Sequence, residues 1–271
     1  MSSAASSTGL WSAPSANGPI SAVVALPGSK SLTNRFLVLA AIAGSPTLVR
    51  RPLQARDTRL MVTALQSLGT TIGEEGDDWH VTPQPLRGPA RIDCGLSSNV
   101  MRFVPALAGL ANGAVDFTGD LRARDRPLAP LLNTLGQLGV SIEDDGRGTL
   151  PFTIEGAGRI AGGTVDLDSS SSSQFLSALL LAGCRYDNGL TVRTIGTVPS
   201  QPHVAMTLST VLAAGIEAHR WDSSIWRVNH GTPQLGECTI EPDLSNAMPF
   251  FAAAMLSGGS CTISNWPTET V

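Results

Sequence analysis

The chain alternates short polar runs with apolar stretches that have the length of helices. Three such stretches, RFLVLAAIAG, RFVPALAGLANG and QFLSALLLAG, begin at Arg35, Arg102 and Gln174, about 70 residues apart, and each follows serine, threonine or asparagine residues. Helices that are apolar on every face are buried throughout. Because serine, threonine and asparagine favour helix N-termini, the pattern predicts three buried helices with polar starts.

A second series of helices recurs at a similar interval. Each of these segments ends on a glycine that fits a C-terminal cap: Gly69, Gly139 and Gly215. Alternating polar and apolar positions then predict strands at 79–82, 152–154 and 225–228. With a first strand over 22–26, the chain predicts a unit of strand, helix, strand, helix and two strands that occurs three times.

A fourth unit begins near the end of the sequence. Residues 238–259 repeat the strand, polar turn and apolar helix, and a strand over 260–264 follows before the sequence stops at Val271. An unfinished unit leaves an apolar helix face without its packing partners. We therefore expect either a fragment of a longer chain or a partner that supplies the rest.

The repeat divides the chain into three regions and predicts an α/β fold class. Residues 1–18 are rich in serine and alanine and lack both the basic start and the apolar run of a signal peptide, so we expect a flexible tail. Residues 19–241 are expected to form a three-repeat lobe, whose first strand can pack with a second lobe. Residues 242–271 are expected to form the incomplete start of that second lobe.

Composition and charge exclude several classes of protein. A net charge of −4 argues against nucleic acid as a general partner, because phosphate backbones require a basic surface. The apolar runs fall short of the ~18 residues that span a membrane, so no membrane partner is expected. Four cysteines lie far apart without a C-x-x-C pair, which predicts reduced thiols in a cytoplasmic protein and neither a disulfide nor a zinc framework.

The stretch that joins the first strand to the first buried helix carries candidate chemistry. After Pro27 and Gly28 it places Lys30, Ser31 and Arg35 at the start of the helix, and Lys30 is the only lysine in the sequence. Hydroxyls, backbone N–H groups and cations at a helix N-terminus are suited to bind an anion. The alternative is a capped core helix that carries surface charges.

The serine run 169–173 is a second candidate. Its composition alone allows a flexible linker. Its position directly before an apolar helix favours a cradle of hydroxyl and N–H groups for an anion.

Six motifs, in order along the chain, carry a resemblance to a known family. They are GSKSLTNR (28–35), GLSSNVMRFVP (95–105), RARDRPLAPLL (122–132), SSSQFLSALLL (171–181), PSQPHVAMT (199–207) and EPDLSNAMPFFAAA (241–254). The sequence resembles the 3-phosphoshikimate 1-carboxyvinyltransferases, or EPSP synthases, over essentially its whole length after the first 18 residues. The agreement of six ordered motifs is far more specific than any one of them.

The resemblance implies a fold and a reaction. Members of the family form two lobes of three repeats each, an inside-out α/β barrel with the active site in the cleft, and are usually monomeric. They transfer the enolpyruvyl group of phosphoenolpyruvate to the 5-hydroxyl of shikimate 3-phosphate and release phosphate, through a tetrahedral intermediate and without a metal or organic cofactor. The present sequence would supply one complete lobe and the opening of the second.

The resemblance also implies roles for particular residues. Lys30 would contact both substrates at the reacting centre and is the expected catalytic residue. The other residues expected to bind shikimate 3-phosphate are Ser31, Arg35, Ser172, Ser173, Gln174, Ser200 and His203. Those expected to bind phosphoenolpyruvate, besides Lys30 and Gln174, are Ser98 and Arg126. Supporting residues would be Arg102, with Asp57 and Asp243 as helix caps that line the cleft, while Arg122 is expected to be structural.

The sequence departs from the family pattern in two places. Ser98 and Asn99 stand where the family usually has glycine and threonine, and an added side chain would crowd the donor site. We therefore expect weaker binding of phosphoenolpyruvate, and still weaker binding of glyphosate. The family's acid/base carboxylates and second lysine belong to motifs beyond Val271, so the chain alone is expected to have negligible transferase activity.

Three other readings compete with this one. The enolpyruvyl transferases that act on UDP-sugars share the fold but typically carry G-x-K-N near the start and a reactive loop cysteine. Here the motif is G-S-K-S, and Cys94 lies on a predicted strand before the serine/asparagine turn. A non-catalytic lobe that only binds phosphoshikimate is a second possibility. A purely structural repeat protein would explain the period but not the placement of Lys30, Arg35, Ser172 and Arg126.

Overall fold

The helices and strands follow the repeat that the sequence predicts. The computed structural model describes residues 15–268 and 270, and its first unit opens with the strand β1 (Ser21–Val24). The unit continues with α1 (Lys30–Ala41), β2 (Thr47–Arg50), α2 (Arg56–Ser67), β3 (Thr71–Glu75) and β4 (Asp78–Thr82).

The second and third repeats of this strand and helix pattern follow the same order. The second comprises β5 (Ala90–Asp93), α3 (Val100–Ala108), β6 (Asn112–Thr118), α4 (Ala129–Gln137), β7 (Ser141–Glu143) and β8 (Phe152–Ala157). The third comprises β9 (Gly163–Asp168), α5 (Ser173–Gly183), β10 (Leu190–Ile195), α6 (Gln201–Ala213), β11 (Ala218–Arg220) and β12 (Ile225–Val228). The chain continues through β13 (Glu237–Thr239), α7 (Met248–Ser257) and β14 (Ser260–Ile263). The α/β class and the predicted order of elements are confirmed.

Three four-stranded sheets share one arrangement of strands. Two parallel neighbours are followed by two antiparallel strands, in the orders β13-β2-β4-β3, β5-β6-β8-β7 and β9-β10-β12-β11. The first strand of the chain does not join the first sheet, because β13 pairs with β2 in its place. Instead β1 pairs in parallel with β14, and Ser21 lies opposite Ser260.

The described chain separates into two compact units. The larger runs from Pro27 to Glu241, so it begins after β1 and not at residue 19. The smaller combines residues 15–26 with the segment Pro242–Pro267. The tail predicted for residues 1–18 lies mostly outside the described residues.

Burial separates the helices of the larger unit into two kinds. In α1, α3 and α5 nearly every residue is buried, whereas α2, α4 and α6 bury only one side. The buried helices share one core with apolar strand residues such as Val49, Val115 and Val192. The three stretches that are apolar on every face therefore became the buried helices, as predicted.

The helix ends also follow the sequence, with one exception. The backbone φ angles of Gly69, Gly139 and Gly215 are 107°, 84° and 76°, which confirms left-handed caps at these glycines. Proline is common at the first position of a helix, which would suit Pro127, but α4 begins at Ala129 and Pro127 precedes it.

The smaller unit contains β1, β14 and α7. Asp243 accepts a hydrogen bond from the Ser245 backbone N–H at 3.2 Å and caps the 3-10 helix Leu244–Ala247, which leads into α7. Met255 and Leu256 on α7 are largely exposed. Within the described residues, no helix is both long and apolar enough to cross a bilayer.

Candidate functional site

The N-terminus of α1 places Lys30 at the first helical turn. Ser29 caps the helix by accepting a hydrogen bond from the Leu32 backbone N–H. A Cβ atom added to Gly28 would lie 2.4 Å from the Arg51 carbonyl oxygen, so only glycine fits this approach of two backbone segments. Lys30 itself is exposed. The capped helix start therefore presents the Lys30 ammonium group to solvent.

Arg35 lies one turn further along α1 and is only 2% exposed. Its Nε donates to Thr207 Oγ1 at 2.8 Å and its Nη2 to the His203 carbonyl at 2.9 Å, which ties α1 to α6. Nη2 also donates to Ser177 Oγ of α5 at 3.4 Å, and Nη1 donates to the Ser31 carbonyl at 3.0 Å. Because a guanidinium carries five N–H groups, these four hydrogen bonds leave one hydrogen on Nη1 without an acceptor among the described residues.

The charge of Arg35 is not neutralised by a carboxylate within the described residues. Burial lowers its pKa to about 10, which leaves it a cation at neutral pH. The guanidinium also lies 5.5 Å from the centre of the Phe103 ring on α3. A desolvated cation without a counter-ion attracts an anion more strongly than a hydrated one would.

The serine run is fixed by its own hydrogen bonds. Ser172 caps α5 by accepting from the Gln174 backbone N–H at 3.2 Å, and Ser169 Oγ donates to the Ser172 carbonyl at 2.7 Å. Ser170 donates from both Oγ and backbone N–H to Asp168, which lowers the pKa of that carboxyl group. Ser173, the first residue of α5, is buried. The run therefore forms an ordered helix start, as expected of a cradle and unlike a linker.

Gln174 connects the starts of α5 and α3. Its Nε2 donates to Asn99 Oδ1 at 2.8 Å, and its Oε1 accepts from Arg102 Nη1 at 2.5 Å. Arg102 also lies over the Phe175 ring at 5.4 Å. The loop before α3 is held by Ser97, whose Oγ accepts from the Val100 backbone N–H at 3.3 Å. Ser98 in this loop is half-buried.

Arg126 adds a second cation beside Arg102. Its Nη1 donates to the Leu96 carbonyl at 3.0 Å, which places it against the loop before α3. The pKa of Arg102 is lowered first by burial and then by the charge of Arg126, so the two guanidinium groups repel each other. Arg122 is exposed on the 3-10 helix Leu121–Ala123.

The four cations share one property. Within residues 15–268 every ion pair involves other side chains, so Lys30, Arg35, Arg102 and Arg126 have no carboxylate partner. Cations close enough to repel are costly unless an anion joins them. Among the described residues, Lys30 and Arg35 on α1, Arg102 on α3 and Arg126 before α4 are therefore cations without a carboxylate partner.

Ser200 and His203 stand at the start of α6. Ser200 has φ 50° and ψ 52°, a left-handed conformation that is unusual for a residue with a side chain, and it precedes the helix without capping it. His203 is exposed, while its carbonyl oxygen accepts the hydrogen bond from Arg35. Backbone strain at a helix start is a common feature of binding sites.

The predicted role of Asp57 as a helix cap is wrong. Helix α2 is capped at Ala55, and Asp57 lies in its first turn, where a negative charge suits the helix dipole. Asp57 Oδ1 accepts from Asn34 Nδ2 of α1 at 3.1 Å. The role predicted for Asp243 as a cap is confirmed, but this residue belongs to the smaller unit.

Sequence reasoning missed the residues that hold the candidate groups in place. Ser177 and Thr207 bond Arg35, and Asn99 bonds Gln174. The available signal was the presence of hydroxyl residues within α5 and α6, which does not by itself identify Ser177 and Thr207 as the partners of Arg35. Among the described residues, no three histidine, cysteine or acidic side chains come together as metal ligands.

The fold and these residues define a mixed α/β protein in which two buried helices, α1 and α3, carry cations that have no carboxylate partner among the described residues. A family model described as EPSP synthase (3-phosphoshikimate 1-carboxyvinyltransferase) matches residues 14–271. A 3-phosphoshikimate 1-carboxyvinyltransferase from Kocuria rhizophila is 53% identical over 274 aligned residues, which cover 96% of this chain. The chain belongs to the EPSP synthase family.

Solved structures show the same fold. An EPSP synthase structure from Acinetobacter baumannii matches 94% of this chain with a TM-score of 0.80 at 23% identity. The enolpyruvyl transferase NikO from Streptomyces tendae matches 86% with a TM-score of 0.65 at 16% identity. The chain covers 62% of the Kocuria protein, and 57% and 55% of these two structures, respectively.

Proposed function

We propose that the chain supplies the shikimate 3-phosphate-binding lobe of an enolpyruvyl transferase. In the proposed reaction the 5-hydroxyl oxygen of shikimate 3-phosphate bonds to C2 of phosphoenolpyruvate, and the C2–O bond to phosphate breaks, so inorganic phosphate leaves. The observation that carries the proposal is that Lys30, Arg35, Arg102 and Arg126 have no carboxylate partner within the described residues, in a chain of this family. Both proposed substrates are phosphorylated anions, which such a region suits.

The predicted residue roles are part of this proposal. Lys30, with its exposed ammonium, is the proposed catalytic contact to both substrates. Ser31, Arg35 and the helix starts at Ser172, Ser173 and Ser200 are proposed to bind shikimate 3-phosphate, with His203 beside them. Gln174, Ser98 and Arg126 are proposed to face phosphoenolpyruvate.

The finer architecture is proposed as well. The three similar sheets around buried helices are consistent with one lobe of an inside-out α/β barrel. The remaining lobe would add the acid/base groups and exclude water from the cleft. A cytoplasmic location and a monomeric state remain predictions.

The properties of Cys94 do not support the alternative hypothesis that the chain is a UDP-sugar enolpyruvyl transferase. Burial raises the pKa of the Cys94 thiol to about 12, and the side chain is fully enclosed. A reactive cysteine needs an accessible thiolate. Cys94 is therefore a packing residue.

Phosphate release tests the proposed reaction. We expect the 271-residue chain alone to release no phosphate from phosphoenolpyruvate, with or without shikimate 3-phosphate. Adding the C-terminal part of the Kocuria relative in trans should give phosphate release that requires both substrates. Turnover by the chain alone, at a rate near that of a complete enzyme, would contradict the proposal that the chain supplies only the substrate-binding lobe. Tight binding of shikimate 3-phosphate without turnover in the mixture would favour a binding module.

A further inference from the structure

The amide of Gln174 is held at both ends. Arg102 donates to its Oε1, while its Nε2 donates to Asn99 Oδ1. A guanidinium can only donate, so the carbonyl end of the amide must face Arg102 and the NH₂ end must face Asn99. This arrangement leaves one hydrogen on Nε2 for a ligand, in a fixed direction.

Asn99 has a free donor of its own. The residue is only 4% exposed, and its Oδ1 is occupied by Gln174. Within the described residues its Nδ2 meets no acceptor. An amide NH₂ group that has no protein acceptor, on a residue this buried, is suited to donate to a ligand or to water.

The surroundings of Asn99 favour an anionic ligand. Asn99 directly precedes α3, whose first backbone N–H groups carry partial positive charge. Arg102 lies in the first turn of the same helix, and the charge of Arg126 is close enough to lower its pKa. Neither arginine pairs with a carboxylate within residues 15–268.

We propose that Asn99 is a positioning and specificity-determining residue on the phosphoenolpyruvate side of the site. Its Oδ1 fixes the Gln174 amide, and its Nδ2 donates a further hydrogen bond to an anionic oxygen of the ligand. A threonine side chain would be one bond shorter and would carry the donor and the acceptor on a single atom. The donor role of Nδ2 rests on the proposed function. The hydrogen bond that Asn99 Oδ1 accepts from Gln174 Nε2, here called the clamp, exists without any ligand.

The test uses ¹⁵N NMR of the 271-residue chain. The side-chain amide signals of Asn99 and Gln174 are assigned from variants that remove them, and the chain is titrated with phosphoenolpyruvate, pyruvate and inorganic phosphate. Phosphoenolpyruvate should shift both signals. If pyruvate reproduces these shifts and phosphate does not, the carboxylate of the ligand lies at Asn99. If phosphate reproduces them and pyruvate does not, the phosphoryl group lies there.

Two substitutions separate the two roles. Asn99→Asp keeps an acceptor for Gln174 but replaces the donor by a negative oxygen, so the Gln174 signal should stay while the affinity for phosphoenolpyruvate falls at least about tenfold. Asn99→Ala removes the clamp, so the Gln174 signal should move to the position of solvent-exposed glutamines even without ligand. If either variant fails to fold, Asn99→Ser replaces it in the test. Asn99→Ser should also remove the hydrogen bond that holds the Gln174 amide.

Asn112→Asp is the matched control. It makes the same charge change just beyond the opposite end of α3, at an exposed position, and should alter the affinity for phosphoenolpyruvate less than twofold.

An unchanged Gln174 signal in Asn99→Ala would overturn the clamp. Wild-type affinity in Asn99→Asp, or no shift of either amide with any of the three anions, would overturn the donor role. A chain that shows these effects but fails to bind shikimate 3-phosphate would contradict the proposed function and leave the Asn99 assignment standing.

Discussion

At the scale of single residues, the site depends on partners that are remote in the sequence. Arg35 bonds Thr207 and Ser177, which lie 172 and 142 residues away. The local pattern predicts a cation near the start of α1, because polar residues precede the apolar run. It contains no information on which hydroxyls will face that cation. The motifs therefore identified Arg35 and Gln174, whereas the residues that hold these side chains in place could be identified only from the folded structure.

We expect Arg35→Met to destabilise the larger unit. The lowered pKa of about 10 corresponds to a desolvation cost of about 3 kcal/mol, which the substitution would remove. It would also remove four hydrogen bonds from a charged donor, each contributing about 1.5 kcal/mol. The hydrogen bonds outweigh the desolvation, so urea denaturation should show a loss of about 2–3 kcal/mol.

Arg91→Met is the control for this measurement, since Arg91 is exposed on β5. It should change the free energy of unfolding by less than about 0.5 kcal/mol. A fold as stable as the wild type after Arg35→Met would mean that the buried hydrogen bonds contribute nothing net.

The four cysteines should differ in reactivity. Burial raises the pKa of the thiols of Cys94, Cys184 and Cys238 to about 12, while Cys261 is half-buried. Alkylation of the native chain at pH 8 should therefore modify Cys261 and spare the other three, as peptide mass mapping can show. Modification of Cys94 at the same rate as Cys261 would contradict its packing role.

The same thiols make a prediction for stability against pH. Their folded pKa lies above the unfolded value, so their contribution is complete below about pH 8.5 and is lost as the pH rises toward 12. Each thiol should lower the free energy of unfolding by about 1.4 kcal/mol per pH unit in that window. Cys184→Ala should make the decline shallower, which denaturation at pH 9 and 10 can measure.

At the scale of elements, the sequence was most informative where structure is local. Apolar runs predicted α1, α3 and α5, and the glycines at 69, 139 and 215 predicted the ends of the helices between them. Pairing between distant strands was not predictable in the same way, because hydrophobic alternation specifies a face but not a neighbour. The pairing of β13 with β2 illustrates this point, since the place expected for the first strand of the chain is filled by the strand that opens the fourth unit.

Two glycines near the end of α4 test the capping interpretation. A Cβ atom at either Gly136 or Gly139 would meet no atom within 4 Å, so packing plays no part. Gly136 lies inside the helix, and Gly136→Ala should stabilise the chain by about 0.5–1 kcal/mol. Gly139 has φ 84°, and Gly139→Ala should destabilise it by about 1 kcal/mol. Thermal unfolding should show the two substitutions with opposite signs; equal effects would refute the cap.

At the scale of the whole molecule, the chain is one compact unit of three repeats with a smaller unit formed by its two ends. It spans 62% of the length of its Kocuria relative. The claim most open to test is that the unpaired cations of this unit bind shikimate 3-phosphate. Lys30 is the cleanest probe, because it is exposed and forms no ion pair within the described residues.

Calorimetric titration of shikimate 3-phosphate into the chain tests this claim most directly. The wild type and the Arg91→Met control, which removes one exposed positive charge from β5, should bind with affinities within about twofold of each other. Lys30→Met should abolish the binding heat, because it removes the cation at the start of α1. Equal affinity of Lys30→Met and the wild type, or no binding by the wild type, would contradict the proposed site.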